Sequence, residues 1–552
     1  MSGNGNGSGK APEMVTLTID GKSVSVTKGS NIIKAAAAAS IDIPYYCYHQ
    51  DLSVPANCRM CQVKVEGAPK LAVACHAQVT EGMKVSTHHT SPEVKAAQES
   101  TLEMILINHP LDCTVCDQAG HCKLQDYHFE YNANPSRFME EKVHKVKAEE
   151  LGPHVILDGE RCIMCTRCVR FCDEITETHE IGMINRGDRS MITVNPDKPL
   201  DNALSGTVVD LCPVGALTHR DWRFNTRIWF TKQTDAICPG CSTGCNVKVA
   251  ERDGEIVTVK ARYNAHVNKE WLCDEGRYGF ERFLPKDRLT APRLHGHETS
   301  WDQALAEAQK LTQHLPLVCF ASPDLLLEEY WILKQFLEKA VKNYKVVVAY
   351  SERELSAVEK ILVSPDYAAN FRGAEFAGLE TGTPGQSYRE AISNLKNGQF
   401  KSALFVGDRS VLPNDLPDLK NVISKLDQSV ALVMDAKSVL ASEAKVTFPS
   451  RSILEKSGLL VNQKMRLQYT DKVRDFPEGS EPDWRILCRL SERAGAKLAQ
   501  PQNDRELTLE LLRNTPALAG LTIRNIKNGG VCLNTYKPGA NSSASEGAAA
   551  WS

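Results

Sequence analysis

The chain has 552 residues, 42% of them hydrophobic, with 65 basic against 68 acidic side chains and a formal net charge of −3. That length exceeds one hydrophobic core and predicts several domains. The near balance of charge gives no electrostatic footprint for nucleic acid or a membrane surface, and no apolar run reaches the roughly 18–20 residues that span a bilayer. Residues 1–13 lack the apolar region of a signal peptide and the arginines of a transit peptide, so they are expected to be a flexible tail in a cytosolic, reducing compartment. Of 19 cysteines, 16 fall between Cys47 and Cys273. A disulfide scaffold fits a short secreted chain, which this is not, so the cysteines point to metal.

In chain order, Val15, Leu17 and Ile19 alternate on one face, Asp20-Gly21 marks a two-residue turn, and Val24 and Val26 return. A helix is expected through the alanines at 35–39, with Ser30 as its cap. Cys47-x10-Cys58-x2-Cys61-x13-Cys75 follows. This hairpin, helix and cysteine loop resemble the β-grasp fold of plant-type ferredoxins, which holds a 2Fe–2S cluster, although the first gap is longer than the plant spacing. A second helix is expected over 93–108, with Leu102, Ile105 and Leu106 on its apolar face. It delivers His109, Cys113, Cys116 and Cys122, a spacing that resembles the one-histidine, three-cysteine 4Fe–4S site. Replacing a thiolate by a neutral imidazole removes one negative charge and should raise the cluster potential.

Cys162, Cys165 and Cys168 then stand at i, i+3 and i+6, and Cys212-Pro213 arrives from a distance. This is the bacterial ferredoxin pattern for a 4Fe–4S cluster. Cys172 fits the motif's last place, but 173–211 contain no cysteine and hence no second run, so it is expected to be a buried, unliganded thiol. Ile163, Val169 and Phe171 are expected to shield the cluster. The fourth group, Cys238, Cys241, Cys245 and Cys273, is similar to the 4Fe–4S site at the front of molybdopterin oxidoreductases. The competing reading is zinc, as a knuckle, a Cys3His site or a ribbon, and the triple run at Cys162 argues against it because zinc sites present separated cysteine pairs.

Beyond Arg277, strand-like 317–320, 346–350, 403–406 and 430–434 alternate with helical stretches, which predicts a parallel sheet covered on both faces. Trp301-Asp302, Glu455-Lys456-Ser457-Gly458, Asn462 and Asp483-Trp484 resemble the molybdopterin oxidoreductase domain. Its metal ligand does not follow: 366–378 contain no cysteine, with Ser364 and Asp366 the available oxygen ligands. The chain is also too short to enclose two pterin cofactors as that family does. Cys319, Cys488 and Cys532 stand singly and are expected to be packing residues.

The full set, in this order, resembles the large iron–sulfur subunits of bacterial NADH–quinone oxidoreductase, complex I. The expected architecture is α+β followed by α/β: a tail at 1–13, a β-grasp 2Fe–2S domain at 14–92, a one-histidine 4Fe–4S domain at 93–150, a ferredoxin-like 4Fe–4S domain at 151–230, a molybdopterin-oxidoreductase-type 4Fe–4S domain at 231–290, a truncated and silent parallel-sheet domain at 291–538, and a tail at 539–552. The resemblance implies one 2Fe–2S and three 4Fe–4S clusters, with no molybdopterin, flavin or NAD on this chain. It implies electron relay from an NADH/flavin subunit toward quinone, with no substrate-converting site. The one-histidine cluster would precede the ferredoxin-like one, the 2Fe–2S centre would complete or extend the path, and the Cys238–Cys273 cluster would lie off it. The implied partners are the flavin subunit, a small 2Fe–2S subunit and the quinone-module subunits, on the cytoplasmic face of the bacterial inner membrane. A cluster-bearing subunit of a NAD-linked formate dehydrogenase or of a hydrogenase is the alternative.

Overall fold

The computed structural model describes residues 13–131, 135–379, 383 and 385–538, so residues 1–12 and 539–552 of the two expected tails lie outside the described residues. The chain divides into two units between Phe230 and Thr231.

The first unit opens with the antiparallel strands Met14–Ile19 and Lys22–Thr27, joined by Asp20-Gly21, both at positive φ. That conformation suits a two-residue hairpin turn and explains a glycine there. Lys84–Ser86 pairs parallel to the first strand, and Gln62–Val65 and Ala72–Val73 complete a five-stranded mixed sheet. The helix Ile32–Ala38 buries Ile32, Ile33, Ala35 and Ala36 in the same core as Leu17, Ile19 and Val63, which is the β-grasp arrangement. Its cap is Asn31, not Ser30: the Asn31 side chain accepts from Lys34 N at 3.0 Å while its amide donates to Cys75 O at 2.9 Å. A cap of this kind stabilises a helix by about 1 kcal/mol, and here it also ties the helix to a cysteine. The helix Pro92–Leu106 follows, capped by Ser91. Short strands and the helices Lys123–Tyr131, Arg167–Glu174 and Thr207–Leu211 make up the rest.

The second unit begins with an antiparallel sheet of Lys232–Ile237, Asn246–Arg252 and Glu255–Ala261. Its main sheet has seven strands, in the order His297–Glu298, Arg293–Leu294, Val446–Pro449, Gln428–Val433, Ser402–Val406, Leu317–Ala321, Tyr344–Val348. The last five run parallel. Every residue of Leu317–Ala321, Ser402–Val406 and Gln428–Val433 is buried, as expected of strands covered on both faces. Cys319, Leu404 and Leu432 pack into one facial core; Val318, Phe320 and Phe405 pack into the other. The architecture is therefore α+β followed by α/β.

Candidate metal centres

In the 47–75 loop, the Cys47 thiol lies within hydrogen-bonding reach of Cys58 and Cys75, and Cys61 within reach of Cys75. Those bonds pull the Cys47 thiol down and push Cys58 and Cys75 up. Ala56 and Arg59 take positive φ between the ligands, and the amides of Asn57 and Cys58 face the Cys47 sulfur. Left-handed residues in such a loop turn successive N–H groups toward one anion.

His109 follows the helix Pro92–Leu106, its amide donating to Leu106 O at 3.1 Å. Burial, helped by Arg161 and Lys142, pushes its imidazole down to about 4, so the ring is neutral and competent as a ligand near pH 7. Its Nδ1 is buried with no hydrogen-bond partner among the described residues. Cys116 and Cys122 are buried and Cys113 is exposed. Cys122 sits at the start of the helix Lys123–Tyr131, where the Leu124 and Gln125 amides face its sulfur.

Cys162, Cys165, Cys168 and Cys212 ring a small cavity walled by Leu157, Ile163, Ile192, Val214, Ala216 and Leu217. Met164 and Thr166 take positive φ, and the amides of Met164, Arg167 and Val214 face the cysteine sulfurs. Burial pushes all four thiols up, Cys162 to about 11 and Cys212 to about 12, which a positively charged metal core would reverse. Of the expected shields, Ile163 lines this cavity, whereas Val169 and Phe171 do not. Cys172 is buried outside it, facing the Ile181 amide and the Thr178 hydroxyl.

The fourth set rings a small cavity at the tip of the hairpin formed by Lys232–Ile237 and Asn246–Arg252. Cys238 N donates to Cys245 O at 2.8 Å, and the Cys273 sulfur caps the helix Asp274–Tyr278, accepting from Gly276 N at 3.3 Å. A Cβ on Gly276 would stand 3.1 and 3.2 Å from the Cys238 and Cys273 sulfurs, so a bare backbone is wanted there. Ser364 and Asp366, the oxygen ligands the sequence left available, are engaged otherwise. Ser242 donates to Asp366 from its amide at 2.9 Å and from its hydroxyl at 2.6 Å, and Ser364 Oγ donates to Asp366 at 3.1 Å. These side chains brace the cysteine loop.

The residues of the molybdopterin-like motifs are likewise used inside the second unit. Lys456 pairs with Glu329 at 2.8 Å and Asp483 at 3.0 Å, Glu455 pairs with Arg288 at 2.6 Å, and Asn462 donates to Thr243 O at 3.2 Å. Cys319 and Cys488 are core residues and Cys532 is half-buried.

These donor sets fit polynuclear clusters. Two thiol quartets each ring a small cavity, the Cys162 one walled largely by aliphatic side chains. In the first unit the sets are neighbours. A Cβ on Gly215, three residues after Cys212, would stand 2.1 Å from the Cys116 sulfur, and Cys122 Sγ lies 4.0 Å from Pro213 O. On the other side, the Arg170 guanidinium donates to Cys47 O at 2.6 Å and Cys165 O at 3.4 Å. The Cys162–Cys212 set therefore adjoins both of the others, a juxtaposition no local spacing reveals.

Residues 12–90 match the family model described as "2Fe-2S iron-sulfur cluster binding domain", and 98–137 the "NADH-ubiquinone oxidoreductase-G iron-sulfur binding region". Residues 152–218 match "NADH-quinone oxidoreductase subunit 3, ferredoxin-like domain", 231–284 "Molybdopterin oxidoreductase Fe4S4 domain" and 350–493 "Molybdopterin oxidoreductase". The G subunit of NADH-quinone oxidoreductase from Rickettsia bellii is 38% identical over 341 residues, 60% of this chain and 50% of that protein. The mitochondrial NADH-ubiquinone oxidoreductase 78 kDa subunit of Neurospora crassa is 43% identical over 309 residues, 55% of this chain and 41% of that one. Among solved structures, a chain of an NAD+-reducing [NiFe]-hydrogenase is 28% identical at a TM-score of 0.35, covering 39% of this chain and 91% of that one. The chain spans about half the length of the Rickettsia relatives it matches. No helix among the described residues is long and apolar enough to cross a membrane. By sequence, the chain is similar to the G subunits of NADH-quinone oxidoreductase over about half their length, and it matches 2Fe-2S, 4Fe-4S and molybdopterin-oxidoreductase family models in that order.

Proposed function

We propose that this chain is the iron–sulfur electron-relay subunit of an NADH:quinone oxidoreductase. Cys47, Cys58, Cys61 and Cys75 would hold a 2Fe–2S cluster. Three 4Fe–4S clusters would be held by His109, Cys113, Cys116 and Cys122, by Cys162, Cys165, Cys168 and Cys212, and by Cys238, Cys241, Cys245 and Cys273. The clusters supply one-electron redox chemistry. The chain's own residues supply thiolates and one neutral imidazole, amide donors that favour the anionic sulfurs, and apolar walls that exclude water. The observation that supports the reading is the contiguity of the three sets in the first unit, with the ferredoxin-like set adjoining both others. Donor and acceptor would be the NADH/flavin subunit and the quinone-module subunits, with a small 2Fe–2S subunit alongside, on the cytoplasmic face of a bacterial inner membrane. The chain would bind no molybdopterin, flavin or NAD. The engagement of Ser364 and Asp366 with Ser242 counts against a formate dehydrogenase centre.

The test is elemental analysis of anaerobically purified full-length chain. About 14 irons with matching sulfide, and neither molybdenum nor zinc, is the expected result for one 2Fe–2S and three 4Fe–4S clusters. Stoichiometric molybdenum, or zinc in place of iron, would overturn the reading.

A further inference from the structure

Two arginines of the helix Arg167–Glu174 are buried, Arg167 at 7% and Arg170 at 8% exposure. Among the described residues, the hydrogen bonds of both guanidinium groups go to neutral oxygens. Arg167 donates to Leu211 O at 3.2 Å, next to Cys212, and to Tyr48 O at 2.5 Å, next to Cys47. Arg170 donates to Ser53 O at 2.5 Å, Cys47 O at 2.6 Å, Cys165 O at 3.4 Å and Thr166 Oγ1 at 3.3 Å. Glu174, the carboxylate that acts on Arg170, is spent on Ser53, accepting from its amide at 2.7 Å and from its hydroxyl at 2.5 Å.

A buried guanidinium with no carboxylate bonded to it is costly unless negative charge stands nearby. Here each fork reaches from the loop of one cysteine set to the loop of the other, across 44 to 123 residues of sequence. An iron–sulfur cluster held by four thiolates is a net anion whose charge grows by one on reduction. Two fixed cations between two such anions favour the reduced form of each, and the planar fork holds the two loops at one spacing.

We propose that Arg167 and Arg170 are positioning residues for electron transfer: they clamp the Cys47–Cys75 loop to the Cys162–Cys212 site and raise the potentials of both clusters together. This rests on the ligand sets proposed above. Arg170 also offers a hydrogen-bonded route from Cys47 O through one nitrogen to Cys165 O.

The test is an EPR-monitored redox titration of the full-length chain with iron counted in each sample, comparing wild type with Arg170→Gln, Arg167→Gln and Arg170→Lys. At a fixed solution potential, each glutamine variant should lower the reduced fraction of both clusters several-fold with iron content unchanged. The lysine variant, which keeps the charge and loses the fork, should hold the potentials and weaken the magnetic interaction between the two clusters. The signal of the Cys238–Cys273 cluster serves as the internal standard. Unchanged potentials in both glutamine variants at full iron content would overturn the proposal while leaving the ligand reading intact. Absence of a 2Fe–2S signal from the wild-type chain would overturn both.

Discussion

In the unit that ends at Phe230, the surroundings of one cysteine set are the backbone of the next: Gly215 abuts the Cys116 sulfur, and Cys47 O and Cys165 O share one guanidinium nitrogen. In the unit that begins at Thr231, the Cys238–Cys273 set has no second set in its wall among the described residues; its loop is backed by Asp366, Ser364 and Asn462 from the α/β part of the same unit. The first arrangement makes each site a structural part of its neighbour, so damage should spread. The second makes a site that depends on a folded domain, which gives the parallel-sheet domain a use without any substrate chemistry.

The sharpest way to break this contrast is Gly215→Val. Its side chain would enter the space of the Cys116 sulfur, costing at least the ~1–3 kcal/mol of core overpacking. Iron analysis should show loss of the His109-set cluster, with the ferredoxin-like signal disturbed as well and the Cys238-set signal kept. A pH effect belongs to the second unit. Burial pushes Glu328 from the usual 4.5 up to about 7. A raised carboxyl contributes stability that is fully present below 4.5 and lost as pH rises through 7, so this unit should weaken by roughly 3 kcal/mol across that window. Denaturant melts at pH 5 and pH 8 would show it, and Glu328→Gln should reduce the dependence, the part that remains coming from Glu329 and Asp408, which burial also raises. Next in size, Asp366→Ala removes the acceptor of the Ser242 amide and hydroxyl. It should cost the second unit ~1–3 kcal/mol and disturb only the Cys238-set signal. His109→Cys should keep its cluster and lower the potential in a redox titration, since a thiolate adds negative charge. The smallest effect is expected from Cys172→Ala, about 1 kcal/mol or less in a melt, with every cluster signal unchanged.

The hairpin at Asp20-Gly21, the parallel sheet and the gathering of the Cys162–Cys212 and Cys238–Cys273 quartets could be read from the sequence, because cysteine spacing and hydrophobic period are local properties. What the sequence hid was long-range. Ser30 and Asn31 are both good capping residues by type, and only the Asn31 bond to Cys75 O decides between them. Asp366 looked available to a metal because the Ser242 loop that occupies it lies 124 residues away. Nothing in the helix of Arg167 and Arg170 says that their partners are Tyr48, Ser53 and Cys47. The positive φ of Met164 and Thr166 is a local feature, but neither residue type advertises it.

The measurement that bears most directly on the relay is the magnetic interaction among the clusters of the fully reduced, full-length chain, followed by EPR as each is reduced in turn. If the Cys162–Cys212 cluster is the middle station, its signal should broaden or split when the 2Fe–2S cluster is reduced, and again when the His109-set cluster is reduced. A ferredoxin-like signal indifferent to the redox state of both neighbours would contradict the account.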